Sequence, residues 1–145
     1  MKISNYQPDT LDDAIKYLYD NLTPEDIKFI KSNDHSTIHH FGGMQMRNEW
    51  HLWDKKSKIN RDIQKRFGLA HGDDISNLIF DGLWTKVKHK NVEKALEKCA
   101  NRCKKHWKDS GFDAMTGEPL NPSPTYTQQQ SILIKLKKDG AIEIL

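Results

Sequence analysis

Val92-Glu93-Lys94-Ala95-Leu96-Glu97-Lys98-Cys99-Ala100-Asn101-Arg102-Cys103-Lys104-Lys105-His106-Trp107 is the stretch from which the fold class is read. At about 100° per residue, Val92, Leu96, Cys99, Cys103 and Trp107 share one narrow arc. Lys94, Lys98, Lys104 and Lys105, joined by Lys90 and Lys108 at the ends, take the opposite side. One face is built for a core and the other for water or a partner. Over residues 86–108 nine cations stand against Glu93 and Glu97, a local charge of +7 in a chain whose total is +3. Counterion release and steering would draw an anionic partner to such an element, an acidic protein surface or nucleic acid, with Lys90, Lys94, Lys98, Arg102 and Lys105 as the contact set. The plainer reading is that these lysines solvate the outer face of an amphipathic helix. Arg102 is the only guanidinium and no aromatic ring lies on the cationic side, which disfavours base-specific reading.

Upstream, the same helical period recurs with clear start signals. Thr10 with Asp13 is capping-box-like and precedes Ile15, Leu18, Tyr19 and Leu22 on one face. Thr23-Pro24-Glu25-Asp26 opens a second helix, with proline in the first turn and carboxylates at the positive end of the dipole. Asp34 can cap a third that carries Ile38, Phe41 and the Arg47-Asn48-Glu49-Trp50 block, with Gly42-Gly43 in its middle. A fourth is expected over 55–67. His71-Gly72-Asp73-Asp74 reads as a loop in which Asp73 or Asp74 caps a fifth helix bearing Ile75, Leu78, Ile79, Leu83 and Trp84. Gly82 costs that helix some stability.

Gly43-Met44-Gln45-Met46-Arg47-Asn48-Glu49-Trp50-His51-Leu52-Trp53, with His71, Asp73, Asp74, Ser76 and Trp84 downstream, also carries a resemblance. It is similar to an uncharacterised domain family of bacteria and their phages, whose pattern is Gly-Met-x-x-Arg-Asn-x-Trp-x-Leu-Trp followed by His-x-Asp-Asp-x-Ser. The resemblance covers residues 10–90. It implies a fold and a microbial or viral origin, and no catalytic residue comes with it.

At 145 residues the chain can bury a core without disulfides, and 36% hydrophobic with 30% charged residues suits a globular protein. No apolar run approaches the roughly eighteen residues of a membrane span, and the N-terminus lacks the apolar core of a signal peptide, so a cytoplasmic protein without membrane contact is expected. Cys99 and Cys103, one helical turn apart, are expected to be reduced. Residues 1–111 read as a helical domain and 112–130 as a proline-rich connector. Residues 131–145 read as a β-hairpin turning at Lys138-Asp139-Gly140, packed on the body or joining two copies as a homodimer. The expected architecture is therefore mainly α, a compact bundle of five to six helices with a C-terminal β-hairpin.

Chemistry is sparsely encoded. His35 and His39, with Cys99, Cys103 and His106, offer zinc-type donors at helical spacing, though the cysteines sit where small buried hydrophobes belong. Arg47, Asn48, Trp50, Trp53, His71 and Asp74 could line a pocket for a small anionic, nucleotide-like ligand, against a structural arginine bonded to helix-end carbonyls or Asp74. His71, Asp73 and Asp74 could centre a metal-dependent nuclease or phosphohydrolase, against a simple helix cap. No serine or cysteine pairs with a base on local spacing. The leading expectation is a non-enzymatic interaction protein without cofactor or bound metal, which in a phage would suit an inhibitor of a host or defence factor.

Overall fold

The structure is a computed structural model that describes residues 6–121 and the pair 134–135, with 36–42 described by backbone only. Six helices follow one another: α1 (Leu11–Asp20), α2 (Pro24–Ser32), α3 (Ser36–Glu49), α4 (Lys58–Phe67), α5 (Gly72–Val87) and α6 (Val92–Asp109). None is long and apolar enough to cross a membrane among the described residues.

Most of the helices start where a side chain can take an orphan N–H. Thr10 Oγ1 accepts from Asp13 N–H at 3.1 Å, and Thr23 forms a full capping box with Asp26. Ser57 and Asn91 cap α4 and α6 in the same way, so α4 begins at Lys58 rather than at residue 55. Two expected caps are placed differently. α3 starts at Ser36 behind His35, one residue beyond Asp34, with no side-chain bond at its cap position. α5 is capped by His71, whose Nδ1 accepts from Asp73 N–H at 3.2 Å, so the two aspartates occupy its first turn instead.

α5 is the axis of the fold, and α1, α2, α3 and α6 all pack on it. Ile75, Leu78, Ile79, Phe80, Leu83, Trp84 and Val87 are all buried, because an apolar set spread this widely around a helix must be covered on several sides. Gly82 makes two of those contacts close. A Cβ there would lie 2.3 Å from Ile15 Cδ1 on α1 and 3.3 Å from Leu96 Cδ2 on α6. The glycine lets both helices seat on one turn of α5, which offsets its helix-propensity cost.

Polar side chains stitch the ends. Trp84 Nε1–H donates to Asn33 O at 2.9 Å, tying the end of α2 to α5. Fully buried Asn60 donates to Leu52 O at 2.8 Å and Ala70 O at 2.9 Å, so one carboxamide satisfies carbonyls before and after α4. Gly68, at φ 69°, ends α4 in the left-handed conformation.

The C-terminal expectation is corrected. Among the described residues there is no strand, only an isolated bridge between Phe112 and Pro119. Ile134 and Lys135, set within the expected first strand of the hairpin, have helical backbone. A strand needs a neighbouring strand to satisfy its backbone, and lysine and leucine neighbours favour helix over sheet. The rest of 131–145 lies outside the described residues, and a homodimer through that hairpin has no described strand edge to use. The first part of the expected connector closes into a loop. Asp113 Oδ1 accepts from the N–H groups of Met115 and Thr116, both at 2.9 Å, and Leu120 N–H returns to Gly111 O at 2.9 Å. Residues 122–130 lie outside the described set.

Replacing Gly82 with valine should destabilise the protein by about 2–3 kcal/mol through overpacking against Ile15 and Leu96. Urea denaturation of the two proteins measures this, and an unchanged midpoint would show that α1 and α6 are not pressed on that turn.

Candidate functional site

Three groups of side chains can be weighed. The first is built where the end of α3 meets the start of α5. α3 stops at Glu49, Trp50 closes it, and His51 at φ 54° turns the chain so that Leu52 goes inward. The two tryptophans of this block therefore part. Trp50, 1% exposed, enters the core against Tyr17, whereas Trp53, 48% exposed, lies over Gly72 at the start of α5.

Arg47, in the last turn of α3, is 8% exposed and is met by groups from α5. Nη1 donates to Ser76 Oγ at 3.1 Å, and Ser76 Oγ in turn donates to Asp73 O at 2.9 Å. Nε stands 3.3 Å from Asp73 Oδ1, an ion-pair distance without hydrogen-bond geometry, and the guanidinium carbon lies 5.8 Å from the Trp53 ring. His71 sits between two indoles, 5.0 Å from Trp53 and 5.5 Å from Trp107. Trp107 Nε1–H donates to Asp74 Oδ2 at 2.7 Å and so pins α6 to the first turn of α5.

Of the six residues expected to line a ligand pocket, Arg47, Trp53, His71 and Asp74 gather here, joined by Asp73 and Ser76. Asn48 is exposed and Trp50 is turned into the core. Trp107 is the member that sequence reading did not assign to this group. Its signal was an indole N–H on the apolar stripe of α6, which needs a polar partner when covered. In this arrangement the guanidinium is matched by the chain's own carboxylate, and the group joins three helices. Asp73 faces Arg47 and Asp74 accepts from Trp107. Among the described residues no three His, Cys, Asp or Glu side chains are arranged to hold a metal ion.

The second group is the outer face of α6. Lys90, Lys94, Lys98, Lys104, Lys105 and Lys108 are exposed. Arg102 reaches back to Asp81 Oδ2 at 2.9 Å, and Lys105 bonds Asp109 four residues on. Lys90, Lys94 and Lys98 form no ion pair with a carboxylate among the described residues.

The third is a cleft of about 290 Å³ between α5 and α6, reached by His35 from the start of α3. His35 Nε2 is paired closely with Asp81 Oδ1, and Asp81 shares the cleft with Cys99. Burial alone would raise the Asp81 carboxyl, but the bonds from His35 and Cys99 and the charge of Arg102 outweigh it and hold it below its ordinary value. The Cys99 thiol is pushed strongly upward by its bond to Cys103, by burial and by the negative charge of Asp81. Both cysteines are free. The negative charge of Asp81 opposes ionisation of the Cys99 thiol, which disfavours it as a nucleophile. His35, Cys99, Cys103 and His106 of the expected zinc-donor set do border one cleft, while the side chain of His39 lies outside the described residues.

Arg47→Met should cost about 1–3 kcal/mol in thermal or urea unfolding, since it strands Ser76 and Asp73 while Asp73 stays half exposed to water. A loss confined to ligand binding, with stability unchanged, would make the arginine a ligand group and not a tie. Asp81 contributes stability above the ordinary carboxylate value of 3.8, lost as pH falls through its lower folded value. The stability gap between the parent and Asp81→Asn should therefore be constant near neutrality and close only below pH 3.8, as followed by thermal melts across pH.

No curated protein and no solved structure matches the chain. A family model does, over residues 7–87, a span that contains α1 to α5 whole and ends on the last residue of α5. Arg47, Trp53, His71, Asp73, Asp74 and Ser76 fall inside it, whereas the cationic face, both cysteines and Trp107 fall beyond it. With more than half its length matched, the chain belongs to the family described as Domain of unknown function (DUF6794).

Proposed function

We propose that this protein works by binding, through the outer face of α6, to an acidic protein surface. The observation that carries the reading is the division of α6. Leu96, Cys99 and Ala100 are buried against the body, which leaves Lys90, Lys94 and Lys98 exposed with no carboxylate partner among the described residues. Lysines that only solvated a helix would gain from neighbouring acids, and here Asp81 and Asp109 neutralise only Arg102 and Lys105. Glu93, Glu97 and Asp109 interrupt the cationic side, and no aromatic stands there to stack a base. A polyphosphate would meet those carboxylates as repulsion, whereas a protein surface can answer both signs.

The match to a family without described activity leaves this reading resting on the face itself, which lies outside the matched span. A cytoplasmic setting is part of the proposal. So is a bacterial or phage origin, in which a small binder of this kind would suit an inhibitor of a host or defence factor.

The charge-reversed double variant Lys94→Glu, Lys98→Glu tests it. Fluorescence anisotropy with a labelled acidic peptide should show binding that weakens steeply with salt and falls at least about tenfold in the variant, with the helical circular dichroism unchanged. A duplex oligonucleotide bound more tightly than the peptide would move the partner class to nucleic acid. Equal peptide binding by parent and variant would remove α6 from recognition.

A further inference from the structure

Beyond the outer face of α6, its inner face holds a feature that partner binding does not use. Cys99 and Cys103 are one helical turn apart and both free. Cys99 is 2% exposed and Cys103 is half-buried, and both border the cleft that His35, Asp81 and His106 also line. Cys99 belongs to the buried core and Cys103 packs against it. On their other side the pair borders a cavity of about 290 Å³ edged by the imidazoles of His35 and His106, the carboxylates of Asp74 and Asp81 and the Arg102 guanidinium.

We infer that this thiol pair binds a soft monovalent metal ion, cuprous copper being the physiological case, as a two-sulfur site at the wall of the cleft. Thiolate sulfur selects soft ions, and a monovalent one is satisfied by two such ligands. Two cysteines at i and i+4 lie on one face of a helix, where both sulfurs can turn to a single ion. Zinc would need two further donors, and among the described residues no three His, Cys, Asp or Glu side chains are arranged around a common point. The charge also closes. One cuprous ion displaces one proton from each thiol to solvent and leaves a bis-thiolate centre of net charge −1, with no change of oxidation state. The cavity gives the ion a path from solvent, which a cysteine pair sealed in the core would lack.

The test uses the full chain, reduced and kept free of oxygen, titrated with cuprous ion against a coloured cuprous chelator. The expected result is one equivalent withdrawn from the chelator, with X-ray absorption showing sulfur neighbours. Cys103→Ser, at the half-buried position that tolerates change, should weaken binding by more than the 10–100-fold typical of losing an outer partner, with circular dichroism unaltered. His106→Ala should retain the ion. The inference is overturned if the chelator keeps the copper, or if Cys103→Ser binds as tightly as the parent. Zinc binding that depends on Asp81 as strongly as on the cysteines, without cuprous binding, would likewise replace it with a different centre. Should Cys99→Ser fail to fold, Cys103→Ser alone carries the test.

Discussion

Everything in this fold depends on covering α5. The helix buries Ile75, Leu78, Ile79, Phe80, Leu83, Trp84 and Val87 at once, more apolar surface than one neighbour could shield. At roughly 1.5–3 kcal/mol for each large side chain taken from water, leaving one side open would remove much of a small domain's net stability. α1, α2, α3 and α6 answer that demand from different directions. The glycine at 82 is a consequence, since two helices can reach one turn of α5 only where no side chain intervenes.

Burial sets which helices meet, and directional bonds set how. Arg47 with Ser76 and Asp73 fixes the end of α3 against the start of α5, while Trp107 with Asp74 fixes α6 at the same level. At the other end Trp84 bonds Asn33, while Asn60 holds the carbonyls of Leu52 and Ala70, which flank α4 beside Trp53 and His71. The α3–α5 group resembles a ligand site in composition because its materials are the same: a guanidinium, acids and aromatic rings. Within it the Arg47 guanidinium stands against the Asp73 carboxylate.

The two roles proposed for α6 rest on its geometry. Its inner face closes the core and presents two thiols to a cleft, and its outer face carries a column of lysines into solvent. These faces are separated by the helix itself, so metal capture on one and partner docking on the other need not compete. The family match ends at residue 87 and stops short of both.

The sequence by itself determined what local physics can write. Thr10 and Thr23-Pro24 mark helix starts because a hydroxyl must take an orphan N–H, and the stripe from Val92 to Trp107 is legible because 3.6 residues make a turn. The charge of the α6 face is likewise read directly. Tertiary structure alone decided that Trp50 goes inward while Trp53 stays out, and that Asp81 pairs with His35. It also overruled the strand expected at Ile134 and Lys135, where alternating apolar residues allowed a hairpin and the backbone is helical. The reason is common to these cases. A cap or a period is satisfied within a few residues, whereas the fate of a tryptophan, a carboxylate or a β-edge depends on which distant group arrives beside it.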